Sequence, residues 1–421
     1  MRTLLLTALL ASPLLAQDST YRDHDRAAGV ARQAGDWIAY KHHVEQVARL
    51  TNGHPSTAVS LARAHLKLGD TARAVADLRR FVRMGVVRDL AQEADVNGLR
   101  THAVWAELEA ARAATQRDTG AVRIAFALPD SDFVAEDVVW DAARRRWLVS
   151  SVRQRRIVAV SEQGAVADFV PPAADGLWGA MALAIDAPRG LLWMSSAAVA
   201  FSNGYTAADA GTSEVRAYEL ATGRLARRYR APRGARPPIL GDLAVAPDGE
   251  VAVSDAMNGA VYVVRAGQDT LESLIPFGGI PSPQGPAYDA AGRLYLADYA
   301  LGIARVDRAT GRVAWLAHAD DVALNGIDGL VAHGDQLLAT QNGVAPARVL
   351  RVSLDPARQR VSGVQVLARS RELMPEPTRG SVRDGALFLA AGPGWDLFDD
   401  AGKVRPGAVF RAPSIVRLEL K

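Results

Sequence analysis

The sequence predicts a mainly β protein, a six-bladed β-propeller preceded by an α-helical module. One phrase recurs six times between residues 121 and 421: an apolar run, a turn containing Asp and Gly, and a second β-prone run. The copies recur about every 50 residues, which suits four short antiparallel strands per blade. Residues 20–118 instead carry apolar residues at helical spacing. The two regions therefore predict two structural units of different class.

The first 16 residues have the pattern of a secretory signal peptide. Met1 and Arg2 form a short positive start, and the apolar stretch from Leu4 to Ala16 is too short to span a bilayer. Polar residues follow it, so we expect cleavage near Ala16 and a periplasmic or secreted mature protein. No other segment reaches the roughly 18 apolar residues of a membrane span, so none is expected.

The composition excludes several functional classes. The 421 residues include no cysteine, which excludes disulfides, thiolate zinc sites, iron–sulfur clusters and a cysteine nucleophile. Lysine and arginine number 49 against 46 acidic residues, so the formal net charge is only +3. Because no dense run of basic residues is present, we predict no nucleic-acid partner.

The region 20–118 contains two similar helical segments. Gly35 and Gly69 lie 34 residues apart, and each stands where one helix must end and the next begin. This is the period of the tetratricopeptide repeat, which the segment 55–85 resembles well and the segment 27–52 resembles less closely. Two repeats are few for a free-standing array. We therefore expect the module to pack against the rest of the chain or to bind a protein partner.

The six strand phrases define the blades of the region 121–421. Each phrase has an apolar run before its turn and β-prone residues after it. They occupy residues 138–150, 183–194, 243–253, 287–297, 330–339 and 382–389. Most are followed by a third and a fourth short strand pattern. A sandwich or a Greek-key barrel would not need six copies of one phrase, and Trp-Asp repeats of the WD40 type are absent.

Polar residues recur just before the innermost strand of the blades. These strands run along the central channel of a propeller, so the residues entering them should form a ring at one mouth. The residues at these positions are Glu136, Trp178 to Met181, Asp242, Gln284, Asp328, Thr378 and Arg379. An all-oxygen site suits a hard divalent cation, so Ca²⁺ is the expected metal, with Mg²⁺, Mn²⁺ and Zn²⁺ as alternatives.

A second set of polar residues follows the second strand of the blades and should open on the same face. It comprises Ser150 to Arg153, Ser254, Asp255, Asp298, Tyr299, Gln341 and Asn342. Two further loops on this face are long, about 197–214 and 391–409, and the second contains Trp395 and Phe398. Long loops on one face are typical of a lid or of the wall of a binding pocket.

These motifs resemble the regucalcin and gluconolactonase-like six-bladed propellers. The resemblance rests on Glu136 before the first phrase and on the segments 241–249, 283–285 and 326–330. It implies hydrolysis of lactones at a divalent metal held by a glutamate, an asparagine and an aspartate. It implies Glu136 as the glutamate ligand and Asp328 as the aspartate, both ligand and base. The asparagine position falls on Gly241, so Asp242 or Asn325 is expected to supply the missing oxygen.

The implied chemistry assigns a role to each polar residue. The cation would polarise a lactone or ester carbonyl and stabilise the developing oxyanion. Asp328, Asp255 or Asp298 would activate a water molecule, and Arg379 would orient an anionic or polyhydroxylated substrate. Further contacts to a lactone, ester or sugar-like ligand are expected from Gln284, Trp178, Gln341 and Asn342.

Structural roles compete with each of these assignments. Asp242 and Asp328 are equally typical of turn caps, Gln284 of an amide that ties adjacent blades, and Trp178 of a packing residue. At the level of the whole protein, the hydrolase has two alternatives. One is a non-catalytic propeller that binds a ligand or a protein, and the other is a cell-envelope scaffold whose two modules both contact proteins.

Overall fold

The computed structural model describes residues 20–392 and 394–420. The predicted signal peptide lies outside the described residues. Five α-helices come first, and 24 strands follow. The helices are α1 (Tyr21–Ala34), α2 (Trp37–Leu50), α3 (Pro55–Lys67), α4 (Thr71–Arg83) and α5 (Val104–Thr115). No helix in the described ranges is both long enough and apolar enough to cross a membrane.

The strands form six four-stranded antiparallel sheets, which confirms the predicted six-bladed propeller. The strands are β1 (Val122–Ala127), β2 (Ala135–Asp141), β3 (Arg146–Ser151), β4 (Arg156–Ser161), β5 (Val166–Val170), β6 (Gly179–Asp186), β7 (Leu191–Ala197), β8 (Ser213–Glu219), β9 (Leu225–Arg230), β10 (Leu240–Val245), β11 (Val251–Asp255), β12 (Ala260–Val264), β13 (Leu271–Ile275), β14 (Pro283–Tyr288), β15 (Leu294–Asp298), β16 (Gly302–Val306), β17 (Val313–Trp315), β18 (Ile327–His333), β19 (Gln336–Gln341), β20 (Arg348–Leu354), β21 (Val361–Ala368), β22 (Pro377–Arg383), β23 (Ala386–Ala391) and β24 (Ser414–Glu419).

The sixth blade joins the two ends of the propeller. Its three inner strands, β22 to β24, come from the end of the chain, and β1 adds on the outside in the order β1-β24-β23-β22. Five residue pairs from Val122–Leu418 to Ala127–Ser414 set the register between β1 and β24. Because this pairing links the first and last strands, backbone hydrogen bonds close the ring.

The hydrophobic core lies between adjacent sheets. The residues that point into these interfaces are β-branched or large, such as Leu148 and Leu192, which are completely buried between the first and second blades. At the junction of the first and sixth blades, Trp147 packs against Phe388 with ring centroids 4.4 Å apart. Burying such side chains contributes roughly 1.5–3 kcal/mol each, so the blades are stabilised by one another.

The helices form two successive hairpins on the same rim of the propeller as the entrances to the innermost strands. Gly35 ends α1 in the left-handed conformation with φ 72°, and Gly69, with φ 81°, separates α3 from α4. Arg348 fastens the module to the fifth blade, because its Nη1 donates to the carbonyl oxygens of Met84 (3.0 Å) and Gly85 (2.7 Å). The module therefore packs against the propeller, one of the two outcomes expected for it.

Candidate functional site

A cavity of about 340 Å³ lies at the mouth of the central channel. Its walls combine four carboxylates with amide, hydroxyl, thioether and aromatic groups. The lining residues are Glu136, Met181, Ile239, Gly241, Asp242, Ser254, Ala256, Met257, Gln284, Tyr299, Asp328, Asn342, Glu376, Thr378 and Trp395. This lining contains no lysine, arginine or histidine. The blade repetition thus brings Glu136, Gln284 and Asp328, far apart in sequence, to one place.

A β-bulge at the entrance of every innermost strand aims these side chains. In each blade two residues of the innermost strand stand opposite one residue of the second strand. Bulges re-aim side chains and are frequent next to functional sites. The first bulge residues form what we call the mouth ring, and the second ones form the floor ring. The mouth ring is Glu136, Met181, Gly241, Gln284, Asp328 and Thr378, and the floor ring is Asp137, Ala182, Asp242, Gly285, Gly329 and Arg379.

Glu136 is a buried carboxylate of the mouth ring. Only 8% of the residue is exposed, and its Oε2 accepts a hydrogen bond of 2.6 Å from the indole Nε1 of Trp395. Burial raises the pKa of Glu136 well above its usual value, and the charges of Asp328, Asp242 and Asp137 raise it further. A buried carboxylate with such neighbours is stabilised either by a proton or by a bound cation.

Asp328 is held in place by an amide and a phenol. Its Oδ2 accepts a hydrogen bond of 2.7 Å from Nδ2 of Asn342, while the hydroxyl of Tyr299 donates to Oδ1 of Asn342 over 3.0 Å. Burial, reinforced by the charge of Asp242, raises the pKa of Asp328 to about 7. Burial also raises the pKa of Tyr299 to about 12, so the phenol stays protonated and fixes the orientation of the amide.

The floor ring contains a buried ion-pair network centred on Arg379. Its Nη1 lies 2.7 Å from Oδ2 of Asp242, and its Nε lies 3.2 Å from Oδ2 of Asp137. Its Nη2 donates to the carbonyl oxygen of Leu243 over 2.9 Å. Burial raises the pKa of Asp137 to about 6 although Arg379 opposes this rise. Arg379 therefore compensates the acids beneath the cavity and is occupied by them, so it is not free to orient a substrate.

Small residues in the other positions of the floor ring make room for this network. A Cβ atom on Gly329 would lie 2.7 Å from the carbonyl oxygen of Thr378, next to the backbone of Arg379. A Cβ atom on Gly285 would lie 2.7 Å from the backbone nitrogen of Leu330. Only glycine allows the blades to approach this closely.

Glu376 is a fourth acid at the cavity, and the sequence analysis missed it. It precedes the innermost strand of the sixth blade by one residue, and its Oε2 is buried without a hydrogen-bond partner among the described residues. Burial, followed by the charge of Asp396, raises the pKa of Glu376 to about 7. The one local sign of it in the sequence is its place between Pro375 and Pro377, since proline fixes φ and stiffens the strand entrance.

Asp255 and Asp298 lie outside the cavity. Both are completely buried at the ends of their second strands. Asp255 Oδ1 accepts from the backbone nitrogens of Met257 (3.1 Å) and Asn258 (3.2 Å). Asp298 Oδ1 likewise accepts from the backbone nitrogens of Ala300 and Leu301, each over 2.9 Å. The structure places both as loop-holding residues, with no oxygen directed at a water in the cavity.

Gln341 and Asn325 also lie outside the lining. Gln341 ends the second strand of the fifth blade, the position that Asp255 and Asp298 hold in theirs. Its Nε2 donates to the carbonyl oxygens of Ala323 (3.0 Å) and Asn325 (2.6 Å). Its Oε1 accepts from Nε of Arg348 over 2.6 Å, which ties it to the helical module. Asn325 meets Gln341 through its backbone and is 7% exposed. Neither residue lines the channel cavity with Glu136 and Asp328, the carboxylates that were expected to share a metal with Asn325.

Trp178 lies outside the cavity as well. The guanidinium of Arg155 sits 3.9 Å from the centroid of its ring, and the ring of Tyr205 is 6.3 Å away. Met181, three residues later, takes the mouth-ring position of the second blade. The tryptophan of the site is instead Trp395, from the long loop of the sixth blade.

The donor set fits a hard cation held by two carboxylates, with room for a third ligand. Trp395 donates a hydrogen bond to one oxygen of Glu136, and Asn342 donates one to an oxygen of Asp328. The second oxygen of each carboxylate can therefore bind a cation. Asp242 is engaged by Arg379 one residue deeper in the channel. In residues 20–392 and 394–420, no three His, Cys, Asp or Glu side chains converge as a metal-binding group. A cation here would complete its shell with amide oxygens or water.

Glu376→Gln is expected to stabilise the protein at alkaline pH. An unfolded glutamate loses its proton near pH 4, whereas folded Glu376 keeps its proton up to about pH 7. Between about pH 4 and pH 7 the folded state therefore binds one proton that the unfolded state has lost. The free energy of unfolding falls as the pH rises through this window. We expect the variant to gain about 3 kcal/mol above pH 8 and nothing below pH 4. Urea unfolding in EDTA at both pH values measures this gain, and the exposed Glu372→Gln is the control. Equal stability of Glu376→Gln and the parent protein at pH 8 would contradict the expectation.

Comparisons with known proteins leave the chemistry of the cavity open. No family model matches the chain, and no curated protein matches it. Among solved structures it is similar to regucalcin, a calcium-binding protein from Agrobacterium tumefaciens, with a TM-score of 0.48 and 17% identity over 71% of this chain and 93% of that one. It is also similar to a gluconolactonase from Xanthomonas campestris, with a TM-score of 0.46 and 15% identity over 72% of this chain and 98% of that one. A PQQ-bound aldose sugar dehydrogenase from Streptomyces coelicolor is similar with a TM-score of 0.45 and 14% identity over 72% of this chain and 99% of that one. Likeness at this level concerns the propeller fold alone, and any function has to be argued from the cavity's own residues.

Proposed function

We propose that the protein is a hydrolase of lactones or esters, assisted by a divalent metal, with its site in the channel cavity. The observation that carries the proposal is the charge of the lining, which has four carboxylates and no basic side chain. Arg379 offsets only the acids of the floor ring. Glu136 and Asp328 remain uncompensated, and a bound cation is the ordinary way to keep two such carboxylates ionised at neutral pH.

Glu136 and Asp328 would hold this metal, with Ca²⁺ as the first candidate because every available donor is an oxygen. When bound, a divalent cation polarises a carbonyl and stabilises negative charge on its oxygen. Asp328, kept ionised beside the bound cation, would accept a proton from an attacking water. Glu376, with a pKa of about 7, is suited to return a proton to the leaving alcohol.

The neighbouring side chains position these groups. Trp395 holds one oxygen of Glu136, and the chain from Tyr299 through Asn342 holds one oxygen of Asp328. Gln284, which neighbours Asp328 in the mouth ring, offers an amide to a substrate oxygen. Such preorganisation keeps the donors in place before the reaction begins.

Metal titration of the full-length protein tests the proposal. After treatment with EDTA, we expect Ca²⁺ to bind one site by calorimetry, to raise the melting temperature and to be required for hydrolysis of a panel of lactones and esters. Mg²⁺, Mn²⁺ and Zn²⁺ form the comparison series. If no cation binds and no compound in the panel is hydrolysed, the hydrolase proposal is wrong and the alternative of a non-catalytic binding propeller replaces it.

Gly241→Asn sharpens the same experiment. Gly241 holds the mouth-ring position of the third blade, and a Cβ atom placed there would meet nothing closer than Ser254 Oγ at 4.0 Å. An asparagine in this position would add an oxygen donor beside Glu136 and Asp328, so we expect roughly tenfold tighter Ca²⁺ binding, since ligand number tunes affinity. The control is Gly363→Asn, where a Cβ atom also has open space, on the outermost strand of the fifth blade.

The location and the partners remain part of the proposal. The signal-peptide pattern of residues 1–16 supports export to the periplasm or the exterior. The helical module lies on the same rim as the cavity, which supports a protein partner that would bind beside the mouth of the channel.

A further inference from the structure

A second cavity, of about 590 Å³, adjoins the channel cavity. The two share three lining residues, Ile239, Met257 and Trp395, so these side chains form a border common to both cavities. The second cavity lies between the long loop that follows β7 and the long loop that precedes β24. We call it the apolar annex, and its walls are formed chiefly by Val199, Phe201, Tyr205, Pro237, Ile239 and Trp395.

The walls of the annex are a packed aromatic cluster. The rings of Phe201 and Phe398 stack at 4.6 Å with an interplanar angle of 13°, and Phe201 meets Trp395 edge to face at 4.9 Å. Phe201 is 7% exposed and Phe398 is 3% exposed. The annex is therefore built on a firm apolar surface, which offers few hydrogen bonds to a hydroxylated sugar and favours hydrocarbon.

The charged groups of the annex lie in the loop 396–405, and their net negative charge disfavours the binding of an anion. Three of them are acidic, Asp396, Asp399 and Asp400, against a single Arg405. Arg405 already donates through Nε to the carbonyl oxygen of Phe398 over 2.8 Å. This negative charge is therefore expected to exclude an anionic substrate portion from the annex.

Trp395 links the annex to the carboxylates. Its Nε1 donates to Glu136 in the channel cavity, while its ring lies against Phe201 on the annex side. A ligand that spans both cavities would thus place its hydrocarbon part on one side of this indole and its polar part beside Glu136.

We propose that the annex binds the hydrocarbon portion of an ester or lactone whose carbonyl lies in the channel cavity. The substrate class is then an uncharged ester or lactone with an alkyl chain, not a polyhydroxylated sugar lactone. This inference rests on the proposed hydrolase function, and it adds the specificity of the same site.

A series of γ-lactones from γ-butyrolactone to γ-decalactone tests the inference on the full-length protein with Ca²⁺. Each methylene that enters an apolar cavity favours binding, so we expect kcat/KM to rise roughly threefold per added methylene until the annex is filled. Ala210→Glu, at an exposed position that lines the annex alone, should flatten the rise. Ala208→Glu, exposed in the same loop and outside the lining, is the matched control and should leave the series unchanged.

A kcat/KM that is independent of chain length, or an Ala210→Glu variant with the parent's chain-length dependence, would overturn the inference and leave the hydrolase proposal standing. Failure of the hydrolase proposal is recognised separately, because 1-decanol and 1-butanol serve as non-reactive probes. If 1-decanol raises the melting temperature of the parent and 1-butanol does not, the annex binds hydrocarbon even without hydrolysis. Ala210→Glu should then show no increase with 1-decanol. Equal responses to the two alcohols would overturn the inference.

Discussion

Glu136→Gln is expected to lower kcat/KM for lactones or esters at least about 100-fold and to remove the stabilisation by Ca²⁺. The amide is nearly the same size as the carboxylate and still offers an oxygen to Nε1 of Trp395, so the 2.6 Å hydrogen bond can persist. What it removes is the negative charge that would hold the cation. Kinetics and thermal unfolding with and without Ca²⁺ measure both effects.

The loss is expected to be specific to the cavity. Glu272→Gln, on the outermost strand of the third blade, should retain the activity and the Ca²⁺ response of the parent. Asp328→Asn should reproduce the loss of Glu136→Gln, because the two carboxylates act on the same cation. Unchanged kinetics and an unchanged response to Ca²⁺ in Glu136→Gln would show that the cavity is not the reactive site.

Arg379→Met is expected to destabilise the protein by about 3–5 kcal/mol, the usual effect of removing one partner from a buried ion pair. The variant leaves Asp137 and Asp242 charged and unpaired beneath the cavity, where their oxygens now lie 3.2 and 2.7 Å from the guanidinium. Urea unfolding at pH 8 measures the loss. Arg145→Met is the control, because the pair between Arg145 and Glu162 has its arginine 74% exposed and such surface pairs contribute at most about 1 kcal/mol.

A second variant separates the electrostatic role of Arg379 from its packing. Adding Asp242→Asn to Arg379→Met removes one of the unpaired charges, so we expect the double variant to regain part of the lost stability. If Arg379 instead bound the substrate, Arg379→Met would raise KM and leave the unfolding free energy unchanged. A parent-like free energy of unfolding in Arg379→Met would therefore contradict the role of a buried counter-ion.

Repetition in the sequence was enough to predict the mouth ring in outline. Glu136, Gln284 and Asp328 enter their innermost strands at equivalent points, and a propeller turns equivalent points into neighbours in space. The prediction misplaced Asp242 by one residue. It belongs to the floor ring, since the bulge puts successive residues at different depths of the channel, and Gly241 is the true counterpart of Glu136.

The loop residues were harder to predict. Asp255, Asp298 and Gln341 were placed on the correct rim, yet each turns back onto its own loop to satisfy backbone groups or the helical module. Buried backbone N–H groups need hydrogen-bond partners, and a nearby polar side chain readily accepts these hydrogen bonds. Spacing along the chain indicates the rim on which a residue lies, and the competition for hydrogen bonds decides where its side chain points.

The amino-acid sequence by itself determined the number of blades, the helical module and the rim of the channel that carries the acids, because these follow from periodicity and composition. Only the tertiary structure decided that Arg379 neutralises the floor ring, that Glu376 and Trp395 join Glu136 at the mouth, and that β1 closes the sixth blade. These features depend on contacts between residues far apart in the chain, and a local pattern carries no information about which distant group will meet a given charge.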